Sequence, residues 1–147
     1  KEKTKKMNKI ILMSIFALFI AVSCNGQNSD EKAIKQTIIG FSKAGDVNDA
    51  DKLATYIDDS YRIVMNRLFG STEVTIMSKD VYLEKIKTKE YGGDTRKVDI
   101  ESITLNGNSA SAKVSFKGTK MTFVSILTLI KDKDNQWKIV SDVPIVK

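Results

Sequence analysis

The chain has 147 residues, 41% of them apolar and 29% charged, with one Cys and no His. That is enough for one ordinary domain and too little for two; it excludes a disulfide framework and every catalytic or metal site that needs imidazole. The net charge of +6 suggests a nucleic-acid or membrane surface, but without the five lysines and one glutamate of residues 1–23, 19 basic and 17 acidic residues remain, a net of +2. The basic character belongs to the start of the chain, and no nucleic-acid partner is expected.

Lysines at 1, 3, 5, 6 and 9 precede the apolar run from Ile10 to Val22. Thirteen residues of helix at about 1.5 Å each cover roughly 20 Å, short of a bilayer core of roughly 30 Å, so this is the layout of a signal peptide and not of a membrane span. Residues 1–23 are read as that signal, with Met7 as a candidate start. Ala21-Val22-Ser23-Cys24 is similar to a bacterial lipobox, which implies that Cys24 is acylated and becomes the first mature residue. Several acyl chains on one residue are sufficient for stable anchoring. Residues 24–30 read as a polar tether, and Asn25 after the Cys directs the expectation to the outer membrane.

From Ser29 the text takes a helical period. Ile34, Ile38 and Phe41 share one side, with Ser29 or Asp30 available as a cap and Gly45 as a stop. A short helix is expected over Asp49–Ile57, a strand over Tyr61–Leu68, a turn at Phe69-Gly70-Ser71 and a strand over Val74–Met77. Ser78 is placed to cap a third helix with Tyr82, Leu83 and Ile86 on its inner side. Four strands follow, over Val98–Leu105, Ser109–Lys117, Met121–Lys131 and Gln136–Val143, joined by turns of hairpin length. They predict an antiparallel meander. Met121–Ile130 is apolar on both faces and is expected to be central, with one face on the helices and the other on a cavity or a partner. The fold class is α+β, a single domain over residues 31–147.

Ala44-Gly45-Asp46, Asp80-Val81-Tyr82-Leu83, Gly92-Gly93-Asp94-Thr95-Arg96 and the closing LTLIK…WKIV pair, in this order, resemble the nuclear transport factor 2-like superfamily, and within it the bacterial group called putative lumazine-binding. The resemblance implies three helices wrapped by a curved, mainly antiparallel sheet in a cone, a pocket at the open end, and pairing of two copies through the outer face of the sheet. It selects no chemistry, because the fold hosts isomerases, dehydratases and plain binders. Relatives often close the last strand with a Phe-His step, where this chain has Asp142-Val143-Pro144-Ile145.

Candidate pocket residues are Phe41, Tyr61, Met65, Tyr82, Phe123 and Trp137. Arg62 and Arg96, with Asn66, are candidate contacts for an anion, since Arg grips carboxylate and phosphate through paired donors. No calcium loop, thiol site or phosphate loop is present, so no metal or cofactor is expected. The reading is a membrane-anchored lipoprotein, displayed in the periplasm or at the surface, that binds a small, largely apolar ligand or a protein partner. Two alternatives stand beside it. An enzyme of the ketosteroid-isomerase or dehydratase kind needs a desolvated carboxylate beside a Tyr in the cavity, with Tyr56, Tyr61, Tyr82, Asp58, Asp99, Glu101 and Asp142 as the available pieces. A structural dimerisation module needs only the two-sided strand.

Overall fold

Ile34, Ile38 and Phe41 stand on one side of a helix, α1, that runs through residues 26–46, and all three are buried. The structure, a computed structural model, describes residues 26–147; the apolar run, the lysines before it and Cys24 lie outside the described residues. The chain divides into two units at residue 33, and the first is described only over residues 26–32. In the first, residues 26–32 are helical, so the stretch read as a tether is helical from residue 26 and Ser29 caps nothing: its hydroxyl donates to the Gly26 carbonyl at 2.8 Å. Among the described residues no helix is long and apolar enough to cross a membrane.

In the second unit α1 ends where Asn48 turns left-handed, at φ 56°, and Asp49 caps α2 (Ala50–Ala54) by accepting from the Lys52 amide at 2.8 Å. This helix stops earlier than expected. Its last turn gives way to β1 (Ile57–Asn66), because the Tyr56 carbonyl and Ile57 are taken into pairing with the last strand. Asp58 and Asp59, expected in a polar turn, lie within β1 at an irregularity in that pairing. A 3-10 turn at Leu68–Gly70 leads to β2 (Val74–Ser78), and α3 (Lys79–Lys87) follows without a break. Ser78 occupies the cap position of α3 but makes no side-chain cap bond. Tyr82 and Ile86 are buried on its inner side, as the spacing predicts, and Leu83 is half-buried.

The meander of β3 (Lys97–Asn106), β4 (Ser109–Lys117), β5 (Thr122–Lys131) and β6 (Trp137–Val146) is antiparallel throughout, and the sheet order is β2-β1-β6-β5-β4-β3. The sequence left one junction undrawn, the parallel pairing of β1 with β6 that joins the first hairpin to the meander. Alternation in β4 sends Ala110, Ala112, Val114 and Phe116 into the core, and β5 adds Leu127 and Leu129. At roughly 25 cal/mol per Å² of apolar surface, burial of this face is the main stabilising contribution. The opposite face leaves Ile126, Val143 and Ile145 exposed on neighbouring strands.

Two of the segments that carry the family resemblance meet in space. The Gly45 carbonyl accepts from the amides of Asn48 and Gly93, both at 3.2 Å. Gly92 lies against that same carbonyl at φ 79°, where a side chain would be strained and would collide with it. Asn48 Nδ2 donates to the carbonyls of Ile86, at 3.0 Å, and Tyr91, at 2.6 Å, which fixes the end of α3 to the end of α1.

Candidate functional site

The inner face of the sheet is apolar as far as Leu127, and beyond it the side chains change character. Along the register Phe116 is opposite Phe123, Ser125 is opposite Pro144, and Leu127 is opposite Asp142, which in turn is beside Ile63 of β1. All of these except Leu127 border a cleft of about 410 Å³, closed on its other sides by Phe41 of α1, Tyr82 of α3 and the segment from Glu90 to Arg96. The walls are aromatic. Phe41 lies 6.3 Å from Tyr82 and 6.4 Å from Phe116 between ring centres, and Tyr61 lies behind them, 5.7 Å from Tyr82.

Asp142 is the polar centre of this cleft. Its residue is only 8% exposed, and burial pushes its carboxyl up to about 6, against the opposing pull of a hydrogen bond from Ser125 and the charge of Arg96. Buried polar groups normally find partners. Among the described residues Asp142 Oδ1, Tyr61 Oη and Ser42 Oγ are buried without one. Burial, with the nearby Asp142 charge, raises the Tyr61 hydroxyl well above its usual range, and burial raises that of Tyr82 too, so both are neutral donors at ordinary pH.

Arg96 borders the cleft in a different state. Its Nε donates to Asp46 Oδ1 at 2.5 Å, its amide donates to Asp46 Oδ2 at 3.1 Å, and its Nη2 donates to the Ser42 carbonyl at 2.9 Å. The guanidinium lies over the Phe116 ring, 5.4 Å from its centre. Two of its five guanidinium N–H groups are held inside the protein and its charge is answered by Asp46, so part of the anion-gripping role expected from its residue type is taken up by Asp46. At the rim, Asp94 accepts from the Thr119 amide and hydroxyl, Glu90 pairs with Lys85, and Lys120 is exposed.

Of the residues singled out from sequence, the structure brings Phe41, Met65, Tyr82, Phe123 and Arg96 to the wall of this cleft, with Tyr61 one layer behind. It does not bring the others. Trp137 is buried at the start of β6 and borders a second groove of about 400 Å³ with Thr37, Tyr56 and Lys138. Arg62 and Asn66 are exposed, and Arg62 is next to Ile63 along β1, which turns it away from the cleft. Asp99 and Glu101 form exposed ion pairs with Lys117 and Lys113, and Asp58 accepts from Ser60. Asp142, named in the sequence only as one of seven possible pieces, is the polar group the cleft is built around. Among the described residues no three His, Cys, Asp or Glu side chains converge as a metal site.

A sequence model of a family described as putative lumazine-binding matches residues 20–143. Solved structures give the same fold. A protein of unknown function from Silicibacter pomeroyi, described as NTF-2 like, is 20% identical, with a TM-score of 0.72 over 82% of this chain and 98% of that one. An NTF2-like protein of unknown function from Shewanella baltica is 16% identical, with a TM-score of 0.71 over 81% and 94%. One from Cytophaga hutchinsonii is 14% identical, with a TM-score of 0.63 over 80% and 98%. No curated protein matches the chain.

Proposed function

We propose, for a chain that belongs to the family described as putative lumazine-binding and carries the nuclear transport factor 2-like fold, that residues 33–147 bind a small, largely apolar molecule in the cleft between Phe41, Phe116, Phe123 and Asp142. One observation carries this reading: a cavity of about 410 Å³ with aromatic walls is bordered by a buried carboxyl, Asp142, whose Oδ1 has no partner among the described residues. Pockets of this size with a few convergent polar groups are what small-molecule sites look like. Filling the core alone gives no reason to retain an unsatisfied Asp at its edge. Native mass spectrometry of the protein purified from its own kind of host tests the reading. A mass excess that disappears on denaturation is expected; a clean mass, together with no thermal stabilisation by any of a panel of flat apolar compounds, overturns it.

The same Asp142 favours a second reading. A carboxyl held near pH 6 beside two neutral tyrosines in an apolar cleft is suited to moving a proton at a carbon next to a carbonyl. Turnover of a ketone substrate that Asp142→Asn abolishes without unfolding the domain is the expected sign; ligand release unchanged in chemistry would leave plain binding.

The setting we propose for the domain is the outer membrane, reached through acylation of Cys24. Its support is the single Cys directly after small residues at the end of an apolar run. Cys24→Ala is expected to move the protein out of the membrane fraction or stall its processing, and unchanged fractionation with unchanged mass sinks the idea. A second copy is the occupant we propose for the outer face of the sheet. Ile126 and Val143 are paired neighbours there and Ile145 continues the row, an exposed apolar strip that two copies meeting about a two-fold axis would bury. Ile126→Asp is expected to halve the mass seen in sedimentation.

A further inference from the structure

Three groups of opposite kind meet in the cleft, and their states differ. Arg96 is a cation already answered by Asp46, with a ring beneath it and a carbonyl on Nη2. Asp142 has no ion-pair partner, and among the described residues its Oδ1 accepts from nothing. Tyr82 borders the cleft and Tyr61 lies one layer behind, both neutral hydroxyls that feel the Asp142 charge; Ser125 supplies Asp142 one hydrogen bond, and the rim adds Glu90, Asp94 and the exposed Lys120. Glu90 is paired with Lys85 and Asp94 is held by Thr119. Among the described residues the buried group left without a partner in this lining belongs to Asp142, an acceptor amid aromatic rings, while the cations are Arg96, paired with Asp46, and Lys120, exposed at the rim.

A buried acceptor of that kind is completed by a donor and above all by a cation, because opposite charge within a few ångströms favours the ionised carboxyl while ring faces attract the same cation. We propose that the cleft takes a flat, apolar ligand ending in a basic nitrogen, with the nitrogen paired with the carboxyl of Asp142 and the apolar body lying against Phe41, Phe116 and Phe123. The inference rests on the small-molecule reading above and narrows it to one chemical class. A carboxylate or phosphate ligand is disfavoured at the same place, since it would face Asp142 with Arg96 already engaged.

The class predicts a pH response. Asp142 changes charge near pH 6, so a cationic ligand finds its full partner above that pH and loses it below. Affinity for an amine should fall about tenfold per pH unit once the pH is below the value of Asp142, whereas a neutral ligand of the same shape should bind equally well or better in acid.

The test uses the full chain in one nonionic detergent and three matched probes, naphthylmethylamine, naphthylmethanol and naphthoate, read as ligand-dependent thermal unfolding. The expected result is stabilisation in the order amine, alcohol, naphthoate, with the amine advantage lost in Asp142→Asn and on lowering the pH from 7.5 to 5. Asp142→Asn preserves shape and one acceptor oxygen while removing the charge, and Phe123→Trp, which fills the cleft instead of changing its charge, should block all three probes. Equal stabilisation by amine and alcohol, unchanged in Asp142→Asn, overturns the basic-nitrogen inference and leaves the cleft reading standing. No stabilisation by any probe, with no mass excess in the native protein, overturns both.

Discussion

Two hollows of nearly equal size, about 410 and 400 Å³, open on the same domain, and they differ in how their polar groups are met. The groove beside Trp137 satisfies itself. Thr37 Oγ1 donates to the Trp137 carbonyl at 3.1 Å, and Lys138 Nζ donates to the Thr55 carbonyl at 2.6 Å and to Gln136 at 3.2 Å. The cleft beside Asp142 does not, and its carboxyl is held in the wrong surroundings for its charge. Volume therefore says little about function, while an unpaired buried group says much more, because folding alone would select against it.

Two charged residues of the cleft, Arg96 and Asp142, should respond oppositely to removal, and this is where the contrast can be broken most directly. Arg96→Ala leaves Asp46, whose side chain is only 9% exposed, without its cation, and is expected to cost about 3–5 kcal/mol in chemical denaturation. Asp142→Asn should do the reverse. The unfolded Asp ionises near 3.8 and the folded one near 6, so above pH about 7 the folded state carries the whole cost of a buried charge, about 3 kcal/mol, and below pH 3.8 it carries none. The variant is expected to be more stable than the parent at pH 8 by up to that amount, with the gain shrinking to nothing near pH 4, while the parent keeps the better ligand affinity. An Asp142→Asn protein that is less stable at pH 8 would mean the carboxyl is structural.

Why this residue was hard to find in the sequence has a definite physical cause. Trp137 and Ile139 are buried on β6, and strict alternation from them sends Ser141 and Val143 inward and Asp142 outward. The pairing slips instead: Leu129 is opposite Ile139, but Thr128 is opposite Ser141, so Val140 is an extra residue. One extra residue reverses the faces of everything after it, and Asp142 and Pro144 turn into the cleft. Where no bulge intervenes, as along Ala110, Ala112, Val114 and Phe116, the alternation was legible and the core follows it. Arg96 was legible as a candidate anion contact but not as a residue already paired, because its partner Asp46 lies 50 positions away. The parallel pairing of β1 with β6 is equally silent, since a strand's own pattern does not name its neighbour.

Smaller changes sharpen the same comparison from the other side. Thr37→Val removes one hydrogen bond in the Trp137 groove and should cost about 1 kcal/mol with no effect on any ligand of the cleft, measured by denaturation and binding side by side. Lys120→Ala is the weakest and the most discriminating at the rim. Lys120 borders the cleft from an exposed position, where its charge is screened by salt and solvated, so its loss should change stability by less than about 0.5 kcal/mol and leave amine affinity within about twofold. A buried Asp142 feels neither the salt nor the rim to that degree, which makes amine binding nearly insensitive to ionic strength. If Lys120→Ala or high salt instead changed amine affinity more than Asp142→Asn does, recognition would reside in the rim charges, and the contrast between a self-satisfied groove and an unsatisfied cleft would lose its functional meaning.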